Sequence, residues 1–156
     1  MKRLILSACL LAATAFCQDS LPQNVLKLAP ASAVSAKPGE TVQVALSAQV
    51  DPGFHVNSNT PADSYLIPLR LTWAPGPLES PAVTFPKPQK ERYPFSTKPV
   101  SVFTGSFDIV TRFKVSTSAN PGSSVMTGKL HYQACNDRTC LTPKTIDVTV
   151  PVEVVK

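Results

Sequence analysis

Apolar and polar residues alternate with a period of two along much of this chain. In Thr41 to Val50 (TVQVALSAQV) the positions Val42, Val44, Leu46, Ala48 and Val50 share one parity. In Phe107 to Val115 (FDIVTRFKV) the same parity holds Phe107, Ile109, Thr111, Phe113 and Val115, and in Thr145 to Val154 it holds Ile146, Val148, Val150 and Val152. That period belongs to strands with one face on a core. Leu66 to Trp73 (LIPLRLTW) reads as a further strand, with Pro68 placing it at an edge or a bulge. Ala82 to Phe85 reads as a short strand, and Ser124 to Ala134 as one leading into a cysteine segment. Turn signals lie between these runs: Lys37-Pro38-Gly39-Glu40, Asp51-Pro52-Gly53, Pro75-Gly76-Pro77 and Asn120-Pro121-Gly122. There is no internal repeat and no helical period, and 16 prolines leave little room for long helices. The expected fold is all-β: a single domain built as an immunoglobulin-like antiparallel β-sandwich. The longest unpatterned stretch, Pro86 to Pro99 (PKPQKERYPFSTKP), has the length of a functional or disordered loop. Its Tyr93 and Phe95 are out of place in a purely solvating linker.

The N-terminus reads differently. Lys2 and Arg3 precede an apolar run, Leu4 to Ala15, and Ala13-Thr14-Ala15 or Ala15-Phe16-Cys17 offers a cleavage site. This is the pattern of a secretory signal peptide. The run is too short for the roughly 20 residues of a spanning helix. Leu6-Ser7-Ala8-Cys9 resembles a lipoprotein box, but too few apolar residues precede it. The expected organisation is a signal peptide at 1–17, a flexible N-terminus at 18–23 and the β domain at 24–156. No later segment is apolar enough to span a bilayer. Without Lys2 and Arg3 the chain carries 13 basic and 10 acidic residues. That mild, scattered charge excludes a nucleic-acid surface, and the Lys87-Lys90-Glu91-Arg92 cluster reads as a solvated loop. Nothing in the pattern signals oligomerisation, so a monomer is expected.

Export permits disulfides, and the cysteine count then matters. Cleavage after Cys17 leaves Cys135 and Cys140 as a pair; cleavage after Ala15 leaves Cys17 unpaired. The pair sits in YQACNDRTC, Tyr132 to Cys140, and three uses are open to it. As a structural bridge it closes a small loop, worth about 2 kcal/mol in the chain-entropy model. As a metal site it forms H-x3-C-x4-C with His131. Zinc needs three or four protein ligands, and copper often adds a Met or a further His. Only His55, His131 and Met126 are at hand outside the signal peptide. Along a strand, positions 131 and 135 would lie roughly 13 Å apart. As a working dithiol the pair needs an accessible thiolate and a resolving thiol. Arg138 and Lys144 would favour the thiolate and Asp137 would oppose it. Such a dithiol needs no organic cofactor or metal. The spacing is not C-x-x-C and no βαβ pattern surrounds it, so the carrier would be a β scaffold.

A resemblance bears on the choice. Tyr132-Gln133-Ala134-Cys135, then Cys140 with Pro143 three residues on, resembles the active-site segment of the N-terminal periplasmic domain of DsbD-type thiol:disulfide interchange proteins. Asp51 to Ser58, Asp63 to Pro68 and Val102 to Gly105 resemble other segments of that family, in the same order. The resemblance runs from about Val25 to Val152. It implies a periplasmic immunoglobulin-like sandwich whose cysteines carry electrons from a thioredoxin-like or DsbD/CcdA-type membrane donor to periplasmic disulfide-containing proteins. It implies that Cys140 forms mixed disulfides and Cys135 resolves them. It implies a cap loop, here Pro86 to Pro99 with Phe95 as the shielding ring, and it places His55, Asn57 and Tyr132 beside the pair. The best-known members have one more residue between the cysteines. They also continue into membrane and thioredoxin-like domains, whereas this sequence stops at Lys156 and is read as a stand-alone module with a separate donor. The alternatives are a non-catalytic immunoglobulin-like binding module with a structural bridge, and a copper-handling protein.

Overall fold

The computed structural model describes residues 24–156; the expected signal peptide and the segment 18–23 lie outside the described residues. Twelve strands follow in chain order: β1 (Leu26–Leu28), β2 (Val34–Ala36), β3 (Thr41–Val50), β4 (His55–Asn57), β5 (Arg70–Trp73), β6 (Leu78–Thr84), β7 (Gln89–Glu91), β8 (Val100–Phe103), β9 (Ser106–Val115), β10 (Gly122–Tyr132), β11 (Ala134–Cys135) and β12 (Lys144–Val154). They form three sheets of four, ordered β1-β3-β9-β6, β2-β12-β10-β5 and β11-β4-β8-β7. All pairings are antiparallel except the parallel β2–β12 pair.

The first two sheets make the sandwich. The period-two positions point inward: Val44, Leu46, Ala48 and Val50 on β3, Ile109, Phe113 and Val115 on β9, and Val148, Val150, Val152 and Val154 on β12 are all buried in one core. Register locks this in, because a one-residue slip would turn every one of these side chains to solvent. Leu46 sits opposite Ile109, and Met126 opposite Val150. Thr111 interrupts the apolar face of β9 and is fully buried. Its hydroxyl accepts a hydrogen bond from Trp73 Nε1 on the other sheet at 3.1 Å, and the Trp73 ring meets Phe113 edge-on at 5.1 Å. The polar exception therefore satisfies an indole donor that would otherwise be orphaned between the sheets.

Departures from the sequence pattern are local. Of Leu66 to Trp73 only Arg70 onward is strand. Before it, Leu66 N–H closes a turn on Asp63 and Leu69 N–H bonds Ser58, while Pro68 has no donor to give a ladder. The short strand at Ala82 to Phe85 starts earlier, at Leu78, and is bulged between Glu79 and Ala82, where Ser80 has φ of 52°. The unpatterned Pro86 to Pro99 stretch holds the edge strand β7.

Candidate functional site

The third sheet carries the cysteines. β10 ends at Tyr132, still paired with β12; one residue later the chain resumes as β11 against β4. Gln133 is the crossing point. Its carbonyl accepts Asn57 N–H, and its side-chain Nε2 donates to Leu141 O at 3.3 Å.

Beyond Cys135 the chain reverses tightly. Asn136 N–H bonds Thr139 O, Leu141 N–H bonds Ala134 O, and Cys135 faces Cys140 between them. That makes 135 and 140 a non-hydrogen-bonded antiparallel pair, the class that brings facing side chains closest. Their Cα atoms are 3.9 Å apart and their sulfurs are bonded. Asn136 Oδ1 accepts the N–H groups of both Arg138 and Thr139, at 2.9 and 2.8 Å. The Asn side chain thus fixes the turn that sets the cysteines opposite each other. The two cysteines differ sharply in surroundings: Cys135 has no exposure, whereas Cys140 is exposed at the sheet edge.

β4 supplies the neighbours. The Asp51-Pro52-Gly53 signal is realised as a turn, with Gly53 at φ 80° and Phe54 N–H bonded to Asp51 O. It delivers His55 directly opposite Cys135 in register. His55 is buried, and burial lowers its pKa from 6.5 to about 4, with the nearby Glu91 charge pulling the other way. Asn57, two residues on and on the same face of β4, donates from Nδ2 to Ile67 O at 3.0 Å. His55 Nε2 and Asn57 Oδ1 are the buried side-chain polar atoms without a hydrogen-bond partner among the described residues.

The Pro86 to Pro99 segment folds over this sheet. Tyr93 stacks on the His55 ring at 4.1 Å between centroids, and Phe95 stacks on Tyr93 at 5.3 Å. Tyr93 also packs on a small second core of Leu66, Val100 and Val102. Its hydroxyl donates to Glu91, and burial followed by this carboxylate raises its pKa. A cleft of about 570 Å³ opens beside the stack, with His55, Glu91, Tyr93 and Asp137 among its walls.

The sequence-predicted residues are thus distributed as follows. Cys135, Cys140 and His55 come together on the site sheet. Asn57 lies one step along, beside Gln133. Phe95 stacks on both Tyr93 and, at 6.4 Å, His55, and remains 38 % exposed. Tyr132 keeps the parity of Leu130, so its ring lies in the main core; burial raises its pKa, with a backbone hydrogen bond at Leu26 opposing and Asp51 adding to the rise. His131 bonds Thr145 across the β10–β12 ladder. Among the described residues no three His, Cys, Asp or Glu side chains cluster as a metal site. Sequence reasoning passed over Tyr93 as a site residue, although an aromatic two positions before Phe95 in a polar loop was the available signal. Gln133 and Asn136 carried no signal beyond their neighbours.

Solved structures with related folds include the N-terminal periplasmic domain of ScsB from Proteus mirabilis, with TM-score 0.61 and 14 % identity over 84 % of this chain. This chain spans about half (48 %) of that one. The reduced form of the Neisseria meningitidis DsbD N-terminal domain matches at TM-score 0.50 and 18 % identity, over 89 % of this chain and 95 % of that one. No curated protein sequence matches. The family model described as "Thiol:disulfide interchange protein DsbD, N-terminal" matches residues 23–151, which include the whole site sheet. On that match, this immunoglobulin-like β domain belongs to the DsbD N-terminal family of thiol:disulfide interchange modules.

Proposed function

We propose that the Cys135–Cys140 pair is a reversible dithiol that relays electrons between protein partners in the periplasm, with Cys140 as the sulfur that partners attack. The observation that carries this reading is the asymmetry of the pair: Cys140 is exposed and Cys135 is fully buried. A donor thiolate reaches the Cys140 sulfur. The S–S bond opens, Cys135 leaves as thiolate and takes a proton, and a mixed disulfide joins Cys140 to the donor. The donor's second thiolate then attacks its own bridged sulfur and releases Cys140 as a thiolate, which takes the second proton. Two electrons and two protons have moved. The reverse sequence, started by the Cys140 thiolate on an acceptor disulfide and closed by Cys135, delivers them. A thioredoxin-like or DsbD/CcdA-type membrane protein fits as donor, and periplasmic disulfide-containing proteins fit as acceptors. The aromatic stack over His55 fits a cap that narrows access to the buried side of the bridge.

Trapping tests it. Cys135→Ala leaves the attacking sulfur without its resolving partner, so mixed disulfides through Cys140 should accumulate in cells, and Cys140→Ala should give none. The purified domain should also equilibrate with a glutathione buffer. A binding module with a merely structural bridge would trap nothing and hold a potential below about −300 mV.

A further inference from the structure

We propose that His55 sets the redox poise of the pair: its Nε2 is the acceptor for the S–H group that appears on Cys135 when the bridge is reduced. The inference rests on the exchange reading above for its biological meaning, but its chemistry concerns this bridge alone.

Three observations meet at one place. His55 and Cys135 are register partners on adjacent antiparallel strands. Partners of that kind project to the same face of the sheet with their Cβ atoms roughly 5 Å apart. Both residues are buried, at 2 % and 0 % exposure. In the bridged state His55 Nε2 is a buried polar atom with no partner.

Most buried polar atoms are satisfied, and one left unsatisfied carries a free-energy cost. Here the cost is specific to one redox state. With the bridge closed, the Cys135 sulfur has no hydrogen to give. Reduction adds two electrons from a donor dithiol, or from two glutathione thiols, together with two protons. One proton stays on Cys135 as S–H, a weak donor on the residue paired with His55. Burial keeps the ring neutral at neutral pH, and the proposal takes the tautomer with the proton on Nδ1, in which the Nε2 lone pair is available to that S–H. The rest of the ring is fixed: Tyr93 stacks on its face, and β4 is held between β11 and β8. His55 therefore favours the dithiol over the bridge and makes the pair easier to reduce. It acts as a positioning residue, through Cys135, and takes no part in the attack on Cys140.

Glutathione equilibration of the full domain, with alkylation and mass measurement of the dithiol fraction, tests this. His55→Phe keeps a ring for Tyr93 to stack on and removes the orphan nitrogen. Its equilibrium should move toward the bridge by roughly three- to tenfold, the larger value being about 30 mV for a two-electron couple. His55→Gln returns a side-chain acceptor and should recover most of that shift. A second readout needs no change at His55: in reduced Cys140→Ser protein, the Cys135 S–H infrared stretch should be displaced to the frequency of a hydrogen-bonded thiol. An equilibrium in His55→Phe within twofold of wild type, a shift toward the dithiol, a His55→Gln protein no different from His55→Phe, or an unshifted S–H stretch would each overturn the proposal. A wild-type bridge that glutathione cannot open sinks the exchange reading instead. The His55 comparison is then made in dithiothreitol, and its outcomes keep the same meaning.

Discussion

His55 shows how one side chain's surroundings become a property of the whole domain. Its pKa is about 4 in the fold because the imidazolium would be desolvated, and Glu91 only partly offsets that. In the unfolded chain the ring has an ordinary value near 6.5. As pH falls below about 6.5 the unfolded state binds the proton first, so stability is lost progressively between pH 6.5 and 4 and is unaffected by this group above that window. His55→Phe should flatten that part of the curve of unfolding free energy against pH, measured in urea. An unchanged slope would mean the ring is not held neutral. The two cysteines make the complementary point. They differ in exposure because Cys135 belongs to a strand with β4 beside it, while Cys140 lies past the Asn136 turn at the sheet edge.

At the scale of elements, the close approach of β5 to β10 depends on a missing side chain. Gly128 faces Trp73 across that ladder, and a Cβ there would meet Trp73 Cε3 at 2.8 Å and the Thr72 carbonyl oxygen at 2.9 Å. The carbonyl is backbone in a paired strand and cannot swing aside. Gly128→Ala should therefore cost about 1–3 kcal/mol, an overpacking penalty, in chemical denaturation. A neutral substitution would mean that β5 is free to move outward. The cap segment has its own internal order. Tyr93 is the ring nearer His55, at 4.1 Å against 6.4 Å for Phe95, and also packs on Leu66, Val100 and Val102, whereas Phe95 is partly exposed. Tyr93→Ala removes the ring that is packed on the second core and sits nearer His55; Phe95→Ala removes the more exposed and more distant one. If the stack restricts access, the rate of bridge reduction by dithiothreitol should rise severalfold in Tyr93→Ala and by less in Phe95→Ala. Equal rates in both variants and wild type would separate the stack from the chemistry.

For the whole molecule the question is whether both redox states can be folded. The bridge spans five positions in one turn of the small sheet, and the sandwich core is built from β3, β9, β10 and β12 without it. Closing so short a loop is worth about 2 kcal/mol. The reduced domain is therefore expected to stay folded and to unfold in one cooperative step at a modestly lower urea midpoint than the oxidised form. Near-ultraviolet circular dichroism with and without dithiothreitol reads this. Loss of the aromatic signal on reduction would show that the bridge holds the fold together, which an exchange module cannot tolerate.

Much of this architecture is written locally. The two-residue period alone places the inward faces of β3, β9 and β12, because each strand has one dry face and one wet face and the side chains must sort between them. The Pro-Gly turn before β4 and the cysteine spacing were likewise visible as residues with few conformational choices. The site sheet was not. β4 and β8 are buried at every position, including His55, Asn57 and Ser101, so no alternation marks them. β7 and β11 are too short for any period to register. What brought His55 opposite Cys135, left its nitrogen without a partner and stacked Tyr93 over it is the pairing of strands 80 residues apart in the chain. Those contacts are set by register and by exclusion of water, which exist only once the sheets have closed, and no local run of residues encodes them.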